Sequence, residues 1–151
     1  MDIFKADNDV VEMANEVIKQ YRPELLTADI VYIFKEKAKK RGGKIVIATA
    51  SKVSDKQNII HSHEGKPSYE FMIEIGADAW LSLSPDQKRA VLHHELRHCG
   101  YKEKDEEMIP IIIPHDLEEF SDVVEAHGFY LRDVLDFANK IRNMKVTDTN
   151  E

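Results

Sequence analysis

Ser84-Pro85-Asp86-Gln87-Lys88-Arg89-Ala90-Val91-Leu92-His93-His94-Glu95-Leu96-Arg97-His98-Cys99-Gly100 reads as one helix with both ends marked. Ser84 is a cap, Pro85 suits the first helical position, and Gln87 stands three residues after the cap, where its side chain can return to the cap's amide. Gly100 is the stop signal. Side chains four apart on an α-helix stand one turn apart on the same face, so His94 and His98 can offer two imidazoles to one metal ion. Glu95 lies about 100° round the helix from His94. It is therefore no obvious co-ligand, but its carboxylate can reach a water at the metal and act as general base.

Zinc suits such a pair because it takes neutral imidazole nitrogen, prefers four ligands and makes water acidic near neutral pH. Three protein ligands would leave one position open. Two residues compete for the third place. His115 follows Pro114, and a short rigid connection could aim it at the first two histidines. Glu118 belongs to Glu118-Glu119-Phe120-Ser121-Asp122, which follows His98 by twenty positions and resembles the glutamate-plus-aspartate helix of thermolysin-like enzymes, a resemblance that implies Asp122 as the residue orienting a ligating histidine; the plainer reading of Glu118 and Glu119 is an acidic first helical turn. His93 points from a different helix face, His127 reads as a half-buried or capping residue, and His61 and His63 fall in a polar loop. Cys99 reads as a buried inert thiol and Trp80 as core. Tyr101 and Tyr130 are candidate oxyanion donors.

Working outward, Tyr69 to Ile75 alternates apolar and wetter residues, which predicts a strand immediately before the helix. An exposed strand edge can bind an extended peptide, and this segment is the candidate. Lys44 to Ala50 predicts another strand, Ser51 to Ser68 a loop, and Met108 to Ile113 a short strand interrupted by Pro110 after a charged loop at 101–107. Helices are predicted over about residues 8–21, from about Leu26 to Lys40 with Gly42-Gly43 as stop, and from Pro114-His115-Asp116 onward, bent at Gly128, to about Met144.

The 151 residues fit one compact domain, and a 42% hydrophobic share with 32% charged residues is that of an ordinary globular chain. The expected layout is a single α+β domain over 1–151. It comprises a helical N-terminal part to 43, a sheet and metal-site core over 44–128, a C-terminal helix over 129–146 and a frayed tail at 147–151. No apolar run is long enough for a membrane span. The N-terminus has no secretory signal pattern and there is a single cysteine, which together predict residence in the cytoplasm. A net charge of −7 argues against broad nucleic-acid binding, and the run Lys35, Lys37, Lys39, Lys40, Arg41, Lys44 reads as a solvated helix end.

Ala77-Asp78-Ala79-Trp80, Leu92 to Cys99, His115 to Phe120 and His127-Gly128 together resemble the putative phage metallopeptidase family, which is similar in layout to SprT-like zinc proteases. The resemblance covers most of the chain. It implies a zincin-like minimal domain: a small curved sheet packed on the active helix with flanking terminal helices, zinc as cofactor, and a peptide or protein substrate. It assigns the third ligand to His115, with Phe120 as packing aromatic. The spacing from His115 to Phe120 is one residue longer than the SprT-like pattern, which leaves Glu118 in contention. The expected function is hydrolysis of a peptide bond, with His94, His98 and His115 holding zinc and Glu95 catalytic. The alternative is a non-catalytic phage zinc protein that engages a host factor through its acidic surface.

Overall fold

The computed structural model describes residues 2–61, 68–142 and 144. His63 and the expected tail at 147–151 lie outside them. The chain is a mixed α+β protein that divides into two compact units, Met1–Ile113 and Pro114–Thr147. The first unit runs β1 (Ile3–Lys5), α1 (Asn8–Tyr21), a 3₁₀ turn (Pro23–Leu25), β2 (Ile30–Lys35), β3 (Lys39–Arg41), β4 (Lys44–Val46), β5 (Ala48–Lys52), α2 (Asp55–His61), β6 (Phe71–Gly76), α3 (Ala77–Leu81), α4 (Pro85–His98), β7 (Cys99–Lys104) and β8 (Glu107–Ile112). The second contains α5 (Ser121–His127) and α6 (Arg132–Ile141). Among the described residues no helix is long and apolar enough to cross a membrane.

The main sheet has the order β1-β2-β6-β5, with β2 parallel to β6 and the outer pairs antiparallel. The predicted alternation in β6 is present: Phe71, Ile73 and Ile75 are fully buried. Each contributes about 1.5–3 kcal/mol by leaving water. They share one core with Val10, Ala14 and Val17 of α1 and with Leu92 and Leu96 of α4. Because β6 is paired on both sides, it has no edge to offer; the edges of this sheet are β1 and β5. Tyr69 to Ile75, expected to present an exposed edge, therefore presents none, and Ala48–Lys52 is the edge strand beside it.

The helix expected from Leu26 to Lys40 is instead β2 and β3, so α1 is the N-terminal part's α-helix and strands flank it. Ile30, Ile33 and Phe34 fit a helical period, but Ile30-Val31-Tyr32-Ile33-Phe34 is also rich in β-branched and aromatic residues, and pairing with β1 and β6 wins. Gly42 and Gly43, at φ +57° and +78°, do not stop a helix but form the two-residue turn between β3 and β4. The topology explains this hairpin. β2 and β5 flank β6, and where β6 ends at Gly76 the two outer strands run on and pair with each other as β3 and β4. A Cβ on Gly76 would lie 2.5 Å from the Ala38 Cα, so only glycine lets the chain pass at that point.

Three further expectations change. The loop at 51–68 contains α2, with 62–67 outside the described residues. The charged loop at 101–107 is the centre of the β7–β8 hairpin, in which Asp105 and Glu106 take positive φ at the turn. The helix expected at Pro114 begins only at Ser121, and Gly128, at φ +70°, separates α5 from α6 rather than bending one helix.

Candidate metal centre

Helix α4 begins with the hydrogen bonds its sequence predicts. Ser84 Oγ accepts from the Gln87 amide at 3.2 Å, and Gln87 Oε1 accepts from the Ser84 amide at 3.0 Å. Its other end is tied from a distance. Arg22, the residue after α1, donates to the carbonyls of Leu96 and Cys99, both at 2.7 Å. The last carbonyls of a helix have no partner within it, and a cation there also meets the negative end of the helix dipole. Arg22 therefore fixes the turn that carries Glu95 and His98. Nothing local in the sequence signals this, because the partners lie 74 and 77 positions away.

His98 is the last residue of α4, and Ile113, the residue after β8, holds it. Its Nδ1 lies 2.6 Å from the Ile113 carbonyl oxygen, and the Ile113 amide donates to the His98 carbonyl at 2.7 Å. A carbonyl can only accept, so Nδ1 carries the proton and Nε2 is left with its lone pair for a metal. The same contact pins Ile113. His115 follows two residues later, and with consecutive Cα atoms 3.8 Å apart its Cα is held within about 7.6 Å of that of Ile113 by the chain itself. The ligand nitrogens of His94, His98 and His115 lie within 4.8 Å of one another, and these three could hold a metal ion. Among the described residues this is the one such group, and Glu118 is outside it.

Glu95 is the buried charged residue of the core, 5% exposed. Its Oε1 lies 3.9 Å from His94 Nε2, and its Oε2 has no hydrogen-bond partner among the described residues. Burial without a partner raises its pKa to about 7, since desolvation penalises the charged form. A buried carboxylate oxygen without a partner, beside a histidine cluster, suits a nearby cation and a water that would hydrogen-bond to it. Beside Glu95 and His94 opens a cleft of about 340 Å³, lined also by Ala90 and Val91 of α4 and by Ile45, Ile47 and Ala48. Ile45 and Ile47 carry no mark of a site in the sequence, because β-branched residues in a short apolar run signal only a strand.

The other candidates fall away from this group. The His93 ring stacks on Tyr21 with centroids 4.3 Å apart, and burial lowers its pKa. Cys99 is fully buried with its thiol pushed up to about 12, which leaves it protonated and inert, and Trp80 is core. Tyr101 donates to Glu70 Oε1 at 2.8 Å and Tyr130 to Glu119, so each hydroxyl is engaged elsewhere. Phe120, expected to pack, is 74% exposed. His127 is exposed in the last turn of α5.

A family model described as putative phage metallopeptidase matches residues 1–142. No curated protein and no solved structure matches the chain.

Proposed function

Since the chain belongs to that phage family, we propose that it is a zinc-dependent peptidase whose metal is held by His94, His98 and His115 and whose general base is Glu95. The observation that carries the reading is the convergence of three imidazoles beside a buried carboxylate whose Oε2 has no hydrogen-bond partner among the described residues. Three neutral nitrogen donors are a ligand set zinc favours, and they leave a fourth position open. Bound there, zinc would supply Lewis acidity, polarising a scissile carbonyl and making water acidic at neutral pH.

The remaining work falls to the chain. His98, with Nδ1–H fixed on the Ile113 carbonyl, presents Nε2 in one orientation. Glu95 takes the proton from the attacking water and returns it to the departing amine, a shuttle that needs a carboxylate with affinity for a proton near neutral pH. An extended substrate lies along the outer edge of β5, and its backbone adds to the sheet while the cleft receives its side chains. The lone buried thiol supports action in the host cytoplasm, a reducing compartment.

Glu95→Gln is the test. The zinc-loaded variant is expected to keep its metal and its fold and to lose peptide hydrolysis by at least 100-fold. Full activity in that variant would rule out the assigned base.

A further inference from the structure

Residues 35–44 hold six cations and one acid, a net +5, which leaves −12 on the rest of the chain. The run is not the end of a helix, as its sequence suggests, but the β3–β4 hairpin with Lys35 and Lys37 at its base. Cross-strand partners on a two-stranded ribbon share a face. Arg41 is paired with Lys44, and Lys40 with Ile45. Like charges directly opposite destabilise a ribbon. Lys39 has an ion-pair partner in Glu74 at 3.0 Å, whereas Lys40, Arg41 and Lys44 have none among the described residues.

The position of the hairpin is as informative as its charge. β4 is paired by β3 on one side, as β5 is by β6, so the unpaired edge of β5 continues past Ile47 onto the unpaired edge of β4. Ile45 lines the cleft beside Glu95, and Lys40 shares its face of the ribbon. A chain lying along β5 therefore runs on past Ile47 and Ile45 to Lys44 in β4, with Lys40 on the cleft face of the ribbon and Arg41 beside Lys44 on the other.

We propose that this hairpin is a specificity element: it selects substrates with a short acidic segment to one side of the bond held at the metal centre. The proposal rests on the peptidase reading above. The size of the ribbon favours a peptide over a nucleic acid. Three-residue strands span about 10 Å, the length of about three residues of extended peptide. A nucleic acid gains affinity by neutralising many phosphates, and the −12 on the remaining surface opposes a long polyanion. Long-range attraction by the hairpin would also orient an acidic segment before it docks.

The test uses zinc-loaded Glu95→Gln protein, so that binding is read without turnover. Fluorescein-labelled twelve-residue peptides are compared by anisotropy at 50 and 200 mM salt: one alternating Ala and Glu, one with Gln for every Glu, and an oligothymidylate of equal charge. The expected result is at least tenfold tighter binding of the Glu peptide than of the Gln peptide, narrowing with salt. In the Lys40→Gln/Arg41→Gln/Lys44→Gln variant that ratio falls to within twofold of one. A Lys102→Gln/Lys104→Gln control on the β7–β8 hairpin keeps it. Equal binding of the two peptides, absence of peptide binding, or oligothymidylate binding as tight as that of the Glu peptide would overturn the proposal. Failure of the peptidase reading shows separately, as no cleavage of either peptide by zinc-loaded wild type.

Discussion

Helix α4 and the β4–β5 edge form the two walls of the cleft, and they are held in different ways. The α4 wall is fixed at every point that bears on chemistry. Its first turn is capped, its last carbonyls are taken by Arg22, and its last histidine is locked to Ile113. The opposite wall is tied to the sheet, by the Gly76 amide on the Ile47 carbonyl at 2.8 Å and by Lys39 on Glu74 at 3.0 Å, but beyond these ties the ribbon carries three cations with no ion-pair partner among the described residues. A metal centre needs its donors held to a few tenths of an ångström, whereas a surface that selects by charge works at longer range. The contrast teaches that order here follows the distance over which each wall has to act.

The largest effect is expected where the α4 wall meets the metal. His98→Ala removes a proposed ligand and the tie to Ile113 together, and zinc affinity should fall by more than about 100-fold, as read by competition with a chelator. A loss of a fewfold would mean that His98 is not a ligand. Next is Arg22→Leu, which removes the charged donor from both carbonyls and leaves that of Leu96 with the Cys99 amide alone. We expect a loss of about 2–4 kcal/mol in urea unfolding of the metal-free protein, together with weaker zinc binding. An unchanged midpoint would show that the helix end does not depend on this contact.

Glu95 sharpens the comparison through pH. In metal-free protein its pKa is raised to about 7 from 4.5, so the folded chain keeps a proton that the unfolded chain has released. Wild-type stability should therefore fall as pH rises from about 4.5 to 7, and the loss should persist above that window. Glu95→Gln lacks this term. It should be more stable than wild type by up to about 3 kcal/mol at pH 8, with the gap closing below pH 4.5. A gap independent of pH would contradict the buried-carboxyl account. The smallest effect belongs to the other wall: Lys44→Glu turns a like-charged pair with Arg41 into an opposite one and should stabilise by about 0.2–1 kcal/mol, read by thermal unfolding.

The α4 wall was legible in the sequence because its signals are local. The capping box, the four-residue histidine spacing and the alternation of β6 each lie within one turn or one strand, and all three appear in the structure. The edge wall was not legible. Residues 26–40 satisfy a helical period and a strand composition at once, and partners in β1 and β6 decide between them. Arg22 was invisible for the same reason, since an arginine after a helix carries no mark of the carbonyls it will meet. His115 and Glu118 are rivals in the sequence because neither carries a local mark of its distance from α4; the grouping of His115 with the other two histidines, two residues after the Ile113 that bonds His98, arises only in the fold.

The central claim is a three-histidine zinc site, and metal content tests it most directly. Wild type, His115→Ala and Glu118→Ala are purified without added chelator and analysed by mass spectrometry of the elements. The account predicts one zinc per chain in wild type and in Glu118→Ala, and its loss in His115→Ala. Absence of stoichiometric metal from wild type, or its loss in Glu118→Ala alone, would contradict it.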